Sequence, residues 1–131
     1  MTRLRTASPY LLAALLAGAG VTHFLKPGLY DPIVPHALPG PARAWTYASG
    51  VAELGVAAAV AVPGTRKRGA LAAALLFVAV FPANVQMAVD AHTVSEKVIA
   101  YARLPLQVPL VVWAWKVSRA DGRTRSRDRS R

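Results

Sequence analysis

The stretch that decides the fold is residues 45–62, WTYASGVAELGVAAAVAV, an apolar run with a single carboxylate, Glu53, near its middle. A run of about 20 apolar residues is long enough to cross a bilayer as a helix. An ionisable side chain inside such a run is costly, and it is normally paired and turned toward the protein interior. The stretch therefore predicts a membrane helix whose Glu53 side chain faces other helices.

The composition of the whole chain supports a membrane class. Of its 131 residues, 54% are hydrophobic and 17% are charged. Typical globular domains carry about 25% charged residues. The apolar residues are also gathered into long blocks, which is typical of spanning helices. The chain has no cysteine, which excludes disulfides, thiol redox chemistry and cysteine metal sites for this chain on its own.

Four apolar blocks predict an all-α fold, a four-helix transmembrane bundle in residues 1–118. The predicted spans are residues 8–25, 45–62, 69–89 and 98–117. The first block has some features of a cleaved secretory signal, with a cleavage-like Ala17-Gly18-Ala19, but it stays apolar beyond that point. Retention as a spanning helix is therefore favoured over cleavage. The remaining residues, 119–131, are low in complexity and rich in arginine, which predicts a disordered tail.

Prolines interrupt the helical pattern in two places. The connection of residues 26–44 contains five prolines, and each removes a backbone donor and restrains the preceding residue. We therefore expect a proline-rich surface segment between helices 1 and 2, folded over the mouth of the bundle. In the third span, Pro82 is expected to kink the helix, because it cannot bond to the carbonyl of Val78.

The distribution of basic residues predicts the orientation. Twelve of the sixteen lysines and arginines lie near the N-terminus, in the connection at residues 66–68, or at the C-terminal end. Basic residues concentrate on the cytoplasmic side of membrane proteins. Four spans with both termini in the cytoplasm are therefore predicted.

With this topology, polar side chains fall at similar depths in all four helices. At about 1.5 Å per residue, Glu53 lies roughly 12 Å from the outer end of its helix and Arg103 roughly 7–8 Å. The candidate intramembrane site consists of five residues: Glu53, Arg103, His23, Asn84 and Gln107. An ion pair between Glu53 and Arg103 is expected, since a guanidinium fork suits a carboxylate. The same residues could instead only hold the helices together.

Other sites have less support in the sequence. The three histidines and Asp90 match no ligand spacing of a metal or haem site, so no metal is expected. The arginine-rich tail is expected to contact anionic lipid rather than nucleic acid, because it adjoins the cytoplasmic end of a helix.

Several short motifs resemble those of DoxX-like membrane proteins. They are GVTHF at 20–24 with Pro27, IVP at 33–35, LP at 38–39, SGVAE at 49–53, FPAN at 81–84 and RLPLQ at 103–107. The resemblance covers about residues 18–116. It implies a four-helix protein of the bacterial inner (plasma) membrane, with some relatives linked to quinone-dependent sulfur oxidation or to redox stress. It transfers no catalytic residue, so the chain is not expected to be an enzyme on its own.

Three functions are compatible with these observations. The first is an accessory subunit of a quinone-linked redox system, working with a redox partner protein or as a homodimer, in which the polar site binds a quinone head group. The second is a structural or assembly protein whose buried ion pair stabilises the bundle. The third is a small-solute transporter subunit that uses Glu53 as a proton or cation site, although four spans with no visible inverted repeat are few for a transporter.

Overall fold

The computed structural model describes residues 2–128, and side chains from residue 6 to residue 120. Five α-helices account for most of this part of the chain: α1 Thr2–Leu25, α2 Ala42–Ala61, α3 Arg66–Ala79, α4 Phe81–Val89 and α5 Val94–Asp128. No strand occurs between residues 2 and 128. The predicted all-α class is confirmed.

Three helical stretches are long and apolar enough to cross a membrane. They are Thr6–Leu25 in α1, Arg66–Val89 across α3 and α4, and Val94–Ala120 in α5. Helix α2 is not among them, although its 20 residues include most of the predicted second span. Its first half carries Arg43, Thr46 and Ser49, and Glu53 follows near the middle, so the apolar character is concentrated in its second half. Three spans are thus supported where the sequence predicts four.

Pro82 breaks a helix as the sequence predicts, whereas two prolines in the last helix do not. Helix α3 ends at Ala79 and α4 begins at Phe81, with Pro82 in the first turn of α4. Proline is well tolerated there because the first helical N–H groups have no partner inside the helix. In α5, by contrast, Pro105 and Pro109 lie inside one continuous helix.

The last helix extends into the C-terminal tail, since α5 continues through Asp128. Extending an existing helix adds a hydrogen bond for each residue fixed, without a new nucleation cost. The disorder expected for residues 119–131 stays a prediction. Residues 129–131 lie outside the described part of the chain.

A buried apolar cluster joins α1, α2, α3 and α5 at the end of the molecule nearer the termini. We call this end the core half. Its buried members are Leu12, Ala13, Leu16, Ala57, Val60, Ala70, Ala73, Phe77, Ala114 and Val117. A second, smaller cluster of Ala88, Ala91 and Ala100 packs α4 against α5 at the opposite end. That opposite end also holds buried His23, Thr46 and Asn84, and we call it the polar half.

Two glycines set the crossing of α1 and α2 in the polar half. A Cβ on Gly50 would lie 2.9 Å from the His23 Cβ and 3.1 Å from the Gly20 carbonyl oxygen. A Cβ on Gly20 would lie 3.1 Å from the Gly50 carbonyl oxygen. The two backbones can approach this closely only because neither residue has a side chain, as at other small-residue helix crossings in membranes. His23 and Glu53 each follow one of these glycines by three residues, so the crossing brings them together.

The proline-rich connection forms short 3-10 turns rather than a long helix. The turns are Pro27–Leu29 and Asp31–Ile33. Gly40 has a φ of 82°, a left-handed conformation that glycine adopts without steric cost. The Trp45 indole donates a hydrogen bond to the Pro39 carbonyl oxygen over 2.7 Å and fixes the end of the connection to α2.

Candidate functional site

The centre of the candidate site is the pair Glu53 and His23, on α2 and α1. Glu53 Oε2 lies 3.1 Å from His23 Nδ1, with 12% and 8% of the two side chains exposed. The sequence predicts that Glu53 faces other helices with His23 at a similar depth, and in the structure the two side chains are in contact. The partner closest to the carboxylate is thus an imidazole.

The contact between Glu53 and His23 satisfies the distance of an ion pair but not the direction of a hydrogen bond. His23 Nδ1 also lies 2.8 Å from the Ala19 carbonyl oxygen. A carbonyl oxygen only accepts, so Nδ1 must carry its hydrogen and donate it to Ala19. Glu53 Oε2 is left buried with no hydrogen-bond partner among the described residues. A buried acceptor without a donor costs about 1–3 kcal/mol.

Tyr30 completes the site from the proline-rich connection. Its ring stacks on the imidazole of His23, with ring centroids 3.7 Å apart and planes 21° from parallel. Burial raises the pKa of the Tyr30 hydroxyl, and the charge of Glu53 raises this pKa further, while Arg103 acts in the opposite direction. Tyr30 therefore lies within the electrostatic range of Glu53. The sequence does not indicate Tyr30 as a site residue, because no spacing or motif shows that the connection folds back over His23.

An aspartate next to Tyr30 anchors the connection to α2. Asp31 Oδ2 accepts a hydrogen bond of 2.8 Å from Arg43 Nε, and Asp31 Oδ1 accepts one of 2.7 Å from the Thr46 hydroxyl. The Thr46 hydroxyl is the main cause that holds the pKa of the Asp31 carboxyl below its ordinary value, and Arg43 adds to this. Since Asp31 directly follows Tyr30, these bonds hold the Tyr30 ring over the site.

Arg103 does not form the predicted ion-pair contact with Glu53 in the structure, although it lies within the electrostatic range of that carboxylate. Among the described residues, the ion pairs within 4.0 Å are His23–Glu53 and Arg43–Asp31. Arg103 Nε instead donates to Asn84 Oδ1 over 3.2 Å. The cause is the packing of α5, which lies mainly against α3 and α4 rather than against α2. Arg103 lies one turn from the buried Ala100 and Gln107 and therefore reaches Asn84 on α4.

The predicted set of five residues therefore falls into three parts. Glu53 and His23 are together, and Asn84 and Arg103 form a second pair on α4 and α5. Gln107 is buried with 8% of its surface exposed, and no side-chain hydrogen bond joins it to another described residue. The similar depth predicted from sequence did not place the residues side by side, because depth along a helix says nothing about direction around it.

No metal site emerges from the described residues. Between residues 6 and 120, no group of three or more histidine, cysteine, aspartate and glutamate side chains is arranged to hold an ion. His36 and His92 are exposed on loops. The site thus combines one buried acceptor, Glu53 Oε2, which has no donor among the described residues, with the stacked rings of His23 and Tyr30.

The chain belongs to the protein family described as Domain of unknown function (DUF8561), whose model matches residues 12–118. The match includes Glu53, His23, Tyr30 and the Asn84–Arg103 pair. No curated protein matches the chain, and no solved structure matches it. The resemblance to DoxX-like proteins stays a prediction.

Proposed function

We propose that this chain is a four-span protein of the bacterial inner membrane that binds the head group of a quinol in its polar half. The site consists of Glu53, His23 and Tyr30, and the protein acts as an accessory subunit of a redox system, with a partner protein or a second copy of itself. Both termini are in the cytoplasm, where the basic C-terminal residues meet anionic lipid. The proposal combines the membrane character of the helices with the chemistry of the site.

Helix α2 serves as the fourth span in this proposal. Its 20 residues correspond to a length of about 30 Å, the thickness of the hydrocarbon core. Ala57 and Val60 of α2 are buried in the same apolar cluster as residues of α1, α3 and α5. The hydropathy of α2 is lower than that of the three candidate spans in part because of Glu53, and this side chain is directed at His23 rather than at lipid.

The observation that carries the proposal is the buried Glu53 Oε2, which lacks a hydrogen-bond donor. His23 adds a second acceptor, because Nδ1 donates to Ala19 and a neutral imidazole then has a bare Nε2. A quinol has two hydroxyl donors, whereas a quinone has two carbonyl acceptors. The site therefore favours the reduced form. Its stacked His23 and Tyr30 rings also suit a planar aromatic head group.

The assembly function that the sequence allows has less support. It depends on a buried Glu53–Arg103 ion pair, and Arg103 bonds to Asn84 instead. A structural role leaves the unpaired Glu53 oxygen as an uncompensated cost. A ligand that donates a hydroxyl to this oxygen removes that cost.

The test is a titration of the purified protein with a short-tailed ubiquinone analogue in its oxidised and reduced forms. We expect saturable binding that is tighter for the reduced form. In Glu53→Gln the carboxyl acceptor is replaced by an amide, and a typical hydrogen bond contributes about 0.5–1.5 kcal/mol, so binding of the reduced form should weaken about two- to tenfold. The matched control is Asp90→Asn, since Asp90 is exposed beyond the end of α4.

Two results would refute the proposal. One is the absence of saturable binding by either form to the wild-type protein. The other is a Glu53→Gln variant that binds the reduced form as tightly as Asp90→Asn does.

A further inference from the structure

Arg103 is exposed in the middle part of a candidate membrane span, and the protein uses only a small part of its hydrogen-bonding capacity. Its Nε donates to Asn84. Among the described residues it has no ion pair and no other hydrogen bond. A guanidinium has five N–H donors, so its two terminal nitrogens are left to groups outside this chain.

The membrane makes this incomplete bonding informative. In the hydrocarbon region each unsatisfied donor costs several kcal/mol, because no water is present to replace the lost partner. An exposed arginine in a span normally extends its side chain toward the interface, where phosphates and water lie. Arg103 lies nine residues after Val94, the first residue of α5, which is about 13 Å along the helix. Tyr101, two residues earlier, is also exposed, and tyrosine is enriched at the level of the head groups.

The surface around Arg103 can accommodate an acyl chain. Phe81 lies one turn from Asn84 on α4, and Leu106 lies one turn from Arg103 on α5. Both are exposed. Asn84 is itself buried, with 5% exposed, so it fixes the direction of the guanidinium. The result is an oriented cationic fork beside an exposed apolar surface formed by α4 and α5.

We propose that Arg103, oriented by Asn84, binds the phosphate of an anionic phospholipid whose acyl chain lies along Phe81 and Leu106. The fork geometry of a guanidinium matches two phosphate oxygens. The phosphate of phosphatidylglycerol lacks an internal cation, whereas that of phosphatidylcholine is accompanied by its own ammonium. Arg103 is hydrogen-bonded to a neutral amide and makes no carboxylate contact within 4.0 Å among the described residues, so its terminal nitrogens can donate to a lipid phosphate. The lipid proposal rests on the Arg103–Asn84 pair and not on quinol binding, although Arg103 lies within the electrostatic range of Glu53 and Tyr30.

The experiment is native mass spectrometry of the purified full chain in detergent, titrated with phosphatidylglycerol or phosphatidylcholine. For the wild-type protein we expect phosphatidylglycerol to bind at least about tenfold more tightly, which corresponds to about 1.4 kcal/mol. Arg103→Gln should lose this preference, and Arg103→Lys, which keeps the charge without the fork, should retain part of it. The matched control is Lys97→Gln, because Lys97 is an exposed cation on the same helix; it should keep the wild-type preference.

Inorganic phosphate, added as a competitor at millimolar concentration, separates a lipid site from a general anion site. We expect it to displace little phosphatidylglycerol, because it cannot contact the apolar surface. Equal binding of the two lipids to the wild-type protein would overturn the proposal, and so would full displacement by phosphate. The proposal would also be overturned if Lys97→Gln reduced the preference for phosphatidylglycerol as strongly as Arg103→Gln does. If Arg103→Gln does not fold, the proposal is still tested by the lipid preference of the wild-type protein and by its response to phosphate.

Discussion

The core half and the polar half of this protein are built on different physical principles. In the core half, small and branched apolar side chains of four helices are buried against one another, with Leu12 and Val60 at 0% exposure. In the polar half, Gly20 and Gly50 bring two helices together around His23 and Glu53, and the carboxylate keeps an oxygen without a donor. Packing in the core half stabilises the fold, whereas the unpaired Glu53 oxygen in the polar half destabilises it. A ligand that donates a hydrogen bond to Glu53, as in the proposed quinol site, would offset this cost in the polar half.

The largest effect is expected in the core half, from Leu16→Ala. Leu16 is 1% exposed, whereas its neighbour Leu15 is 45% exposed. Helix association in membranes depends on close packing, and a buried leucine replaced by alanine typically costs about 2–5 kcal/mol because a cavity remains. We expect a loss of this size for Leu16→Ala in denaturant unfolding in detergent. Leu15→Ala serves as the control and should change little; equal losses for both would show that the cluster does not hold the helices together.

An intermediate effect of opposite sign is expected in the polar half, from Glu53→Leu. The substitution removes a buried acceptor without a donor, so we expect the free energy of unfolding to increase by about 1–3 kcal/mol. Thermal unfolding in detergent without added quinol would measure this increase. The same variant should fail to bind the quinol analogue. If Glu53→Leu instead unfolds at a lower temperature, Glu53 contributes to stability and the contrast between the halves does not hold.

The smallest effect is expected from the acid dependence of the anchor between the connection and α2. The pKa of Asp31 is lowered in the folded protein, so Asp31 stabilises the fold above its ordinary pKa of 3.8. This contribution is lost as the pH falls through the lower, folded pKa. Hydrogen exchange of residues 26–41 should therefore become faster as the pH is lowered below about 4, after correction for intrinsic rates.

Asp31→Asn isolates this effect from the titration of other carboxylates. The variant should show faster exchange of the connection already at neutral pH, and little further change on acidification. An acid response of Asp31→Asn equal to that of the wild-type protein would assign the effect to another group. Thr46→Val, which removes the hydrogen bond of 2.7 Å to Asp31, should reproduce part of the change at neutral pH.

The sequence by itself determined the helical class, the apolar blocks and the position of the break at Pro82. These features depend on local physics: the length of an apolar run, the missing N–H of proline and the cost of an ionisable group in hydrocarbon. The same cost predicted that Glu53 faces another helix, and the structure places His23 there. The polarity of the arginine-rich residues does not indicate where α5 ends, because an existing helix can propagate into polar residues without a new nucleation cost.

Only the tertiary structure decided which polar residues meet. The Gly20–Gly50 crossing brings His23 to Glu53, and the register of α5 turns Arg103 toward Asn84. The fold of the connection, anchored by Asp31, places Tyr30 on His23. Each of these outcomes depends on the rotation of one element about its axis and on its distance from the next. Both are set by packing between segments far apart in the chain, which residue spacing within one segment does not encode.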